Sequence, residues 1–186
     1  MDDTQVLEFY KELYFFQHAR RDNLDARLTL PVGVITLLAG AVLFFLKQDA
    51  STKVLAAHAI LVTSLAATGA LMMACVYFVR ALYNHTYHHM PTLRALETHR
   101  KVLADNAAEL RRYYAQYPRA AAAAMPGVPN PEGRFRTSVI EELAKGGHYN
   151  AVTNNRRSGL LHRGHSFLVA ALVLLLASAL AYVASI

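Results

Sequence analysis

The sequence predicts an all-α membrane protein, with three transmembrane helices and a cytoplasmic helical region, and three observations carry that prediction. Of 186 residues, 54% are hydrophobic and only 17% charged, against roughly 25% charged in ordinary soluble domains. Three runs reach the roughly 20 apolar residues that a bilayer's hydrocarbon requires: 28–46 and 54–79, which form a hairpin, and 167–186. No stretch alternates convincingly at period two, so no strand is predicted. The composition excludes a disordered chain, which lacks apolar residues. With Cys75 as the only cysteine, it also excludes a disulfide scaffold.

Residues 1–27 read as an amphipathic helix, with Val6, Leu7, Tyr10, Leu13, Tyr14 and Phe16 recurring at three- and four-residue steps. The chain opens Met1-Asp2-Asp3 rather than with a basic stretch, so the first span is expected to be retained rather than cleaved as a signal peptide. Pro31 lies four residues into that span and is expected to kink it. The second span carries one ionisable residue, His58, which argues against an ion-coupled transporter.

Residues 80–166 are read as the cytoplasmic region. The second span's helix is expected to run on from Arg80 to Met90, where Pro91 interrupts it. A further helix covers Thr92 to Tyr117. There Leu96, Leu103, Leu110 and Tyr117 sit seven apart, with His99, Asn106 and Tyr113 in the complementary places of a coiled-coil stripe. Residues 118–136, rich in Pro, Gly and Ala, form a linker. Ser138 and Glu141 read as a capping box opening a short helix, which Gly146 and Gly147 stop. Residues 148–165 lead helically into the last span.

Orientation follows from Lys and Arg. Four precede the first span, two (Lys47 and Lys53) lie in the short connection, and the remaining 13 fall between Arg80 and Arg163. Basic residues are held on the cytoplasmic side. The N-terminus and residues 80–166 are therefore expected inside a bacterial inner membrane, with the C-terminus external. A formal net charge of +6 and pI near 9.6 are accounted for by this topology and by anionic headgroups, so nucleic acid is not the expected partner.

Lipid offers helices no hydrophobic drive to associate, and packing there relies on small residues. Gly33 and Gly40 in the first span, Ala66, Ala70 and Ala74 in the second, and Ala177 in the third supply such faces. More faces are offered than three helices can satisfy, so a homo-oligomer is expected. Leu96, Leu103 and Leu110 offer a further self-association stripe.

Chemistry is sparse. His85 and His89 stand one helical turn apart, but no Cys or nearby carboxylate completes a metal site, and no metal or cofactor is predicted. No phosphate-loop, dinucleotide or nucleophile-elbow motif occurs. The densest polar cluster runs from Asn154 to Arg163. Within it Asn154, Arg156, Arg157 and His162 are the candidate ligand-binding residues, because Arg offers a bidentate fork to an anion such as a nucleotide signal or a headgroup.

Arg followed five residues later by His occurs three times: Arg80 with His85, Arg94 with His99, and Arg157 with His162. This spacing resembles the signature of HEPN ribonucleases and of the HEPN-like membrane accessory protein of RNA-targeting CRISPR systems. The wider layout resembles the small membrane effectors of bacterial anti-phage operons: the SLATT proteins associated with SMODS and SLOG genes, and the transmembrane effectors of CBASS and Pycsar systems. That layout is an amphipathic N-terminus ending Arg-Arg-Asp-Asn-Leu-Asp-Ala-Arg, a two-span hairpin and a cytoplasmic helical segment. The resemblance implies a non-enzymatic oligomer that permeabilises or depolarises the membrane on a cytoplasmic signal from a protein partner or nucleotide. A membrane-tethered HEPN-like ribonuclease and a passive scaffold for a cytoplasmic partner are the alternatives.

Overall fold

A computed structural model describes residues 3–47, 54–83, 85–118 and 127–185. Among them no strand occurs and the regular secondary structure is all helix: α1 (Asp3–Ala26), α2 (Thr29–Lys47), α3 (Val54–Leu82), α4 (Leu93–Gln116) and α5 (Pro131–Val183). Three helical stretches are long and apolar enough to cross a membrane, lying in Thr4–Lys47, Ala56–Leu82 and Pro131–Val183. The chain divides into a polar unit, residues 1–18 and 87–151, and an apolar unit, residues 19–86 and 152–186. Helices α1 and α5 each contribute to both.

Helix boundaries have local causes. α1 and α2 are separated only by Arg27 and Leu28, where the Leu28 N–H bonds Asp25 one residue short of the helical step. Pro31 sits four residues after Arg27, so it has no N–H for that carbonyl and its ring crowds it. The interruption thus falls one turn before the proline. α4 starts at Thr92, whose hydroxyl accepts the Ala95 N–H at 3.3 Å, and Pro118 lies two residues beyond its end. α5 starts at Pro131, a ring preset for the first helical position, with the Asn130 side chain accepting the Glu132 N–H at 3.1 Å.

Several sequence expectations are corrected here. α3 ends at Leu82, and residues 85–90 are not helical, so His85 and His89 do not share a helix face. The C-terminal part of the expected 118–136 linker is helix from Pro131, while its residues 119–126 lie outside the described residues. Ser138 does not cap a helix; its hydroxyl donates to the Phe135 carbonyl at 3.0 Å inside α5. Gly146 and Gly147 do not stop that helix, which continues through them to Val183. A Cβ at Gly146 would lie 2.8 Å from His88 Cδ2 and 3.1 Å from Tyr14 Cε2, so this glycine admits two rings against the backbone.

In the apolar unit, α3 turns Ile60, Ser64, Ala67, Leu71, Ala74, Phe78 and Ala81 inward. Facing them, α5 buries Leu161, Gly164, Leu168, Ala171, Leu175 and Ser178. Both follow alternating four- and three-residue steps, the 3.5-residue repeat of coiled-coil seams. The helices run antiparallel: Ser178 Oγ lies 2.6 Å from Thr63 Oγ1 and 3.3 Å from Ser64 Oγ. The Phe78 ring packs where a Cβ on Gly164 would approach within 2.8 Å. Leu24, Leu28 and Val42 complete the core, and Tyr182 meets Phe44 and Phe45 edge-on.

In the polar unit, α4 packs by a narrow stripe. Leu96, Leu103 and Leu110 are half-buried, and their companions are Arg100, Ala107 and Tyr114. The expected companions, His99, Asn106 and Tyr113, are exposed one position earlier. Arg100 bonds Glu97 at 2.8 Å and reaches Glu132 of α5 at 3.4 Å. The Glu97 carboxyl is held below the usual range chiefly by that Arg100 hydrogen bond, and Arg100 is held above its own by Glu97.

Candidate functional site

Two buried polar arrangements stand out, one in each unit. In the polar unit the non-helical strap after α3 is clasped by side chains. Asn150, fully buried on α5, accepts the His88 N–H at 2.8 Å and donates to the His88 carbonyl at 3.1 Å. Tyr14 of α1 accepts the Met90 N–H at 3.0 Å and donates to the His88 carbonyl at 3.4 Å. The His88 ring nitrogen Nε2 lies 3.1 Å from Glu142 Oε2, and His89 stacks obliquely with His18 at 5.7 Å. A strap without helical hydrogen bonds needs such partners wherever it is buried. One asparagine, with its donor and acceptor, satisfies both backbone groups of His88.

In the apolar unit the polar arrangement is ionic. The Arg157 side chain is 3% exposed, pairs with Asp25 and donates from Nε to the Ala81 carbonyl at 2.8 Å. That carbonyl belongs to the last turn of α3, where no helical N–H reaches it. Asp25 is 44% exposed and also lies 3.9 Å from Arg21 Nε. A buried guanidinium is costly unless paired and hydrogen-bonded, and this one is both.

These arrangements divide the predicted ligand cluster. Asn154 and Arg157 face inward and are buried, whereas Arg156 and His162 are exposed. The four lie close in sequence, yet at about 100° per residue Arg156 points roughly opposite Asn154 and His162 stands about 140° from Arg157. They do not form one binding constellation. Arg157 and His162, one of the three Arg-x4-His spacings, likewise differ, the first buried and the second exposed. His85 Nε2 contacts the Arg80 main-chain carbonyl at 2.9 Å, and His99 meets the Phe135 ring at 6.3 Å. Among the described residues no group of three or more His, Cys, Asp or Glu is gathered to hold a metal ion.

The small-residue candidates also divide. Ala74 is fully buried inside this chain and Ala70 packs against the core, whereas Gly33, Gly40, Ala66 and Ala177 face outward. A Cβ added to Gly33 or Gly40 would meet nothing within 4 Å. Sequence reasoning missed Tyr14, Asp25, Glu142 and Asn150. The available signal was spacing: Leu143, Asn150, Asn154, Arg157 and Leu161 continue backward the seam on which Leu168 and Leu175 lie. Comparison with protein-family models, with curated proteins and with solved structures finds no match to this chain.

Proposed function

We propose that the chain is a homo-oligomeric membrane effector or channel-like protein, with its N-terminus and residues 80–166 in the cytoplasm. A cytoplasmic signal acting on the polar unit rearranges the spans and permeabilises or depolarises a bacterial inner membrane, in keeping with a role in anti-phage defence. The observation that carries this reading is α5, a single helix of 53 residues and about 80 Å. Its polar half carries the Asn150 clasp and its apolar half can cross a bilayer. The clasp and the stretch able to cross a bilayer thus belong to one helix in the chain. The centre of the apolar unit is filled by Leu71, Ala74, Ala171 and Leu175, and Thr63, Ser64 and Ser178 bond one another. A pore would therefore form between copies rather than within one.

The test uses cells expressing the full chain with its inducing signal, here phage challenge, and a potential-sensitive dye. Dissipation of the potential is expected. Gly159→Pro, at an exposed position with no atom near a Cβ, breaks α5 and should abolish the response while the chain stays in the membrane. An unchanged potential in challenged cells expressing the parent chain overturns the reading.

A further inference from the structure

One end of the apolar unit is ringed by arginine. Residues 19–28, 80–86 and 152–166 hold seven arginines, no lysine and two carboxylates, Asp22 and Asp25. At the other end, residues 47–53 hold two lysines and one aspartate. The buried Arg157 fixes a common level: it pairs with Asp25 of α1 and bonds the Ala81 carbonyl of α3 at 2.8 Å. Arg156, Arg27 and Arg80 lie one or two residues from those three, about 3 Å or less along their helices. Arg163 adjoins Gly164, against which Phe78 packs. Arg27, Arg80, Arg156 and Arg163 are all exposed. Each apolar run meets one of them: Arg27 abuts residues 28–46, Arg80 abuts 54–79, and Arg163 stands four residues before 167–186.

Asp25 is committed to Arg157 and lies 3.9 Å from Arg21. Among the described residues no ion pair involves Arg27, Arg80, Arg156 or Arg163. Their directions decide what kind of anion suits them. At about 100° per residue, Arg80 stands roughly 160° from Phe78 around α3, and Arg156 and Arg163 stand roughly 100° from Arg157 and Gly164, which face α3. No single soluble anion reaches guanidiniums on different sides of a packed helix pair, whereas a layer of headgroups around the unit reaches all of them. Guanidinium also matches phosphate with a two-pronged fork that an ammonium lacks, in keeping with arginine rather than lysine at this end.

We propose that Arg27, Arg80, Arg156 and Arg163 bind anionic phospholipid headgroups, gathering net-negative lipids around this end of the apolar unit in preference to zwitterionic ones. The proposal rests on the membrane reading and adds the lipid chemistry that the membrane must supply. The full chain is reconstituted in phosphatidylcholine vesicles with trace spin-labelled phosphatidylglycerol or phosphatidylcholine, and electron spin resonance reads the fraction of each label slowed by the protein. Phosphatidylglycerol should be held about two- to fivefold more strongly, the upper figure being the attraction of one cation to an anionic lipid surface. Arg27→Gln, Arg80→Gln, Arg156→Gln and Arg163→Gln together should abolish the preference. Arg94→Gln, Lys101→Gln, Arg111→Gln and Arg112→Gln together remove the same charge from exposed positions of α4 and should leave it unchanged. Millimolar glycerol phosphate, a headgroup without chains, should not release the slowed phosphatidylglycerol. Equal slowing of both lipids by the parent chain, equal losses from the two fourfold variants, or release by glycerol phosphate would each overturn the proposal. Slowing of neither lipid would instead remove the membrane reading, and the proposal with it.

Discussion

The polar and apolar halves of α5 use one geometry with different chemistry. Along both, residues at alternating three- and four-residue steps are buried. In the polar unit that row holds Asn150, whose amide clasps the His88 backbone. In the apolar unit it holds Gly164, Leu168, Ala171, Leu175 and Ser178, matched by size to the facing row of α3. The contrast follows from what each half could do unfolded. In water an apolar seam is stabilised by burial, at about 25 cal/mol per Å², and polar groups within it add specificity. For the apolar half crossing a bilayer, as proposed, burial would add no such drive, and close packing and hydrogen bonds between helices would hold the seam.

Three experiments test this contrast, taken from the largest expected effect. Asp25→Asn takes from the buried Arg157 guanidinium its carboxylate; because Asp25 is itself 44% exposed, the cost should fall at or below the lower end of the about 3–5 kcal/mol of a fully buried pair. Thermal unfolding of the full chain in detergent should show the loss. Adding Arg157→Leu should recover most of it, since a packed apolar side chain can replace a buried pair. A double variant no more stable than Asp25→Asn would contradict this account.

A smaller effect is expected from polar residues in the two halves. Asn150→Ala leaves the His88 N–H without its acceptor, at about 1–3 kcal/mol, while the His88 carbonyl keeps the Tyr14 hydroxyl. Ser178→Ala removes hydroxyl contacts to Thr63 and Ser64, where interhelical bonds in a membrane average about 0.6 kcal/mol. Melting in detergent should therefore rank Asn150→Ala well below Ser178→Ala, and equal losses would erase the distinction between the two seams.

The smallest effect concerns acid. Glu97 is held below its usual range by Arg100, so its folded-state pKa lies below its unfolded one. The contribution is present above the unfolded value and fades as pH falls through the folded one. Glu97→Gln should lower the melting temperature slightly at neutral pH, and the gap to the parent chain should close as pH drops below about 4. A gap that persists at pH 2 would place the effect elsewhere.

Much of the fold was legible from local signals. Hydropathy summed over about 20 residues does not depend on what packs where, so the three apolar runs were visible. The stripe of Leu96, Leu103 and Leu110 was visible because water makes the opposite face of α4 polar. The inward seam of α3 was not: Leu65 and Met72, which face outward, are as apolar as Leu71 and Phe78, which face the core. The repeat there is one of size rather than polarity, and hydropathy is blind to it. The polar residues of the candidate site were grouped by closeness along the chain, although a helix sorts them by angle.

Residue chemistry by itself determined that the chain is helical, that it holds three stretches able to cross a bilayer, and where its cations lie. These properties depend on local composition and backbone preference. Only the tertiary structure decided that Gly146 admits His88 and Tyr14 instead of ending a helix. It also decided that Arg157 turns inward to Asp25 while Arg156 faces out, and that Ala74 is buried within the chain while Gly33 and Gly40 are open. Each of those outcomes depends on which distant segment lies over a given face, and that is set by the joint packing of the helices rather than by any one stretch of sequence.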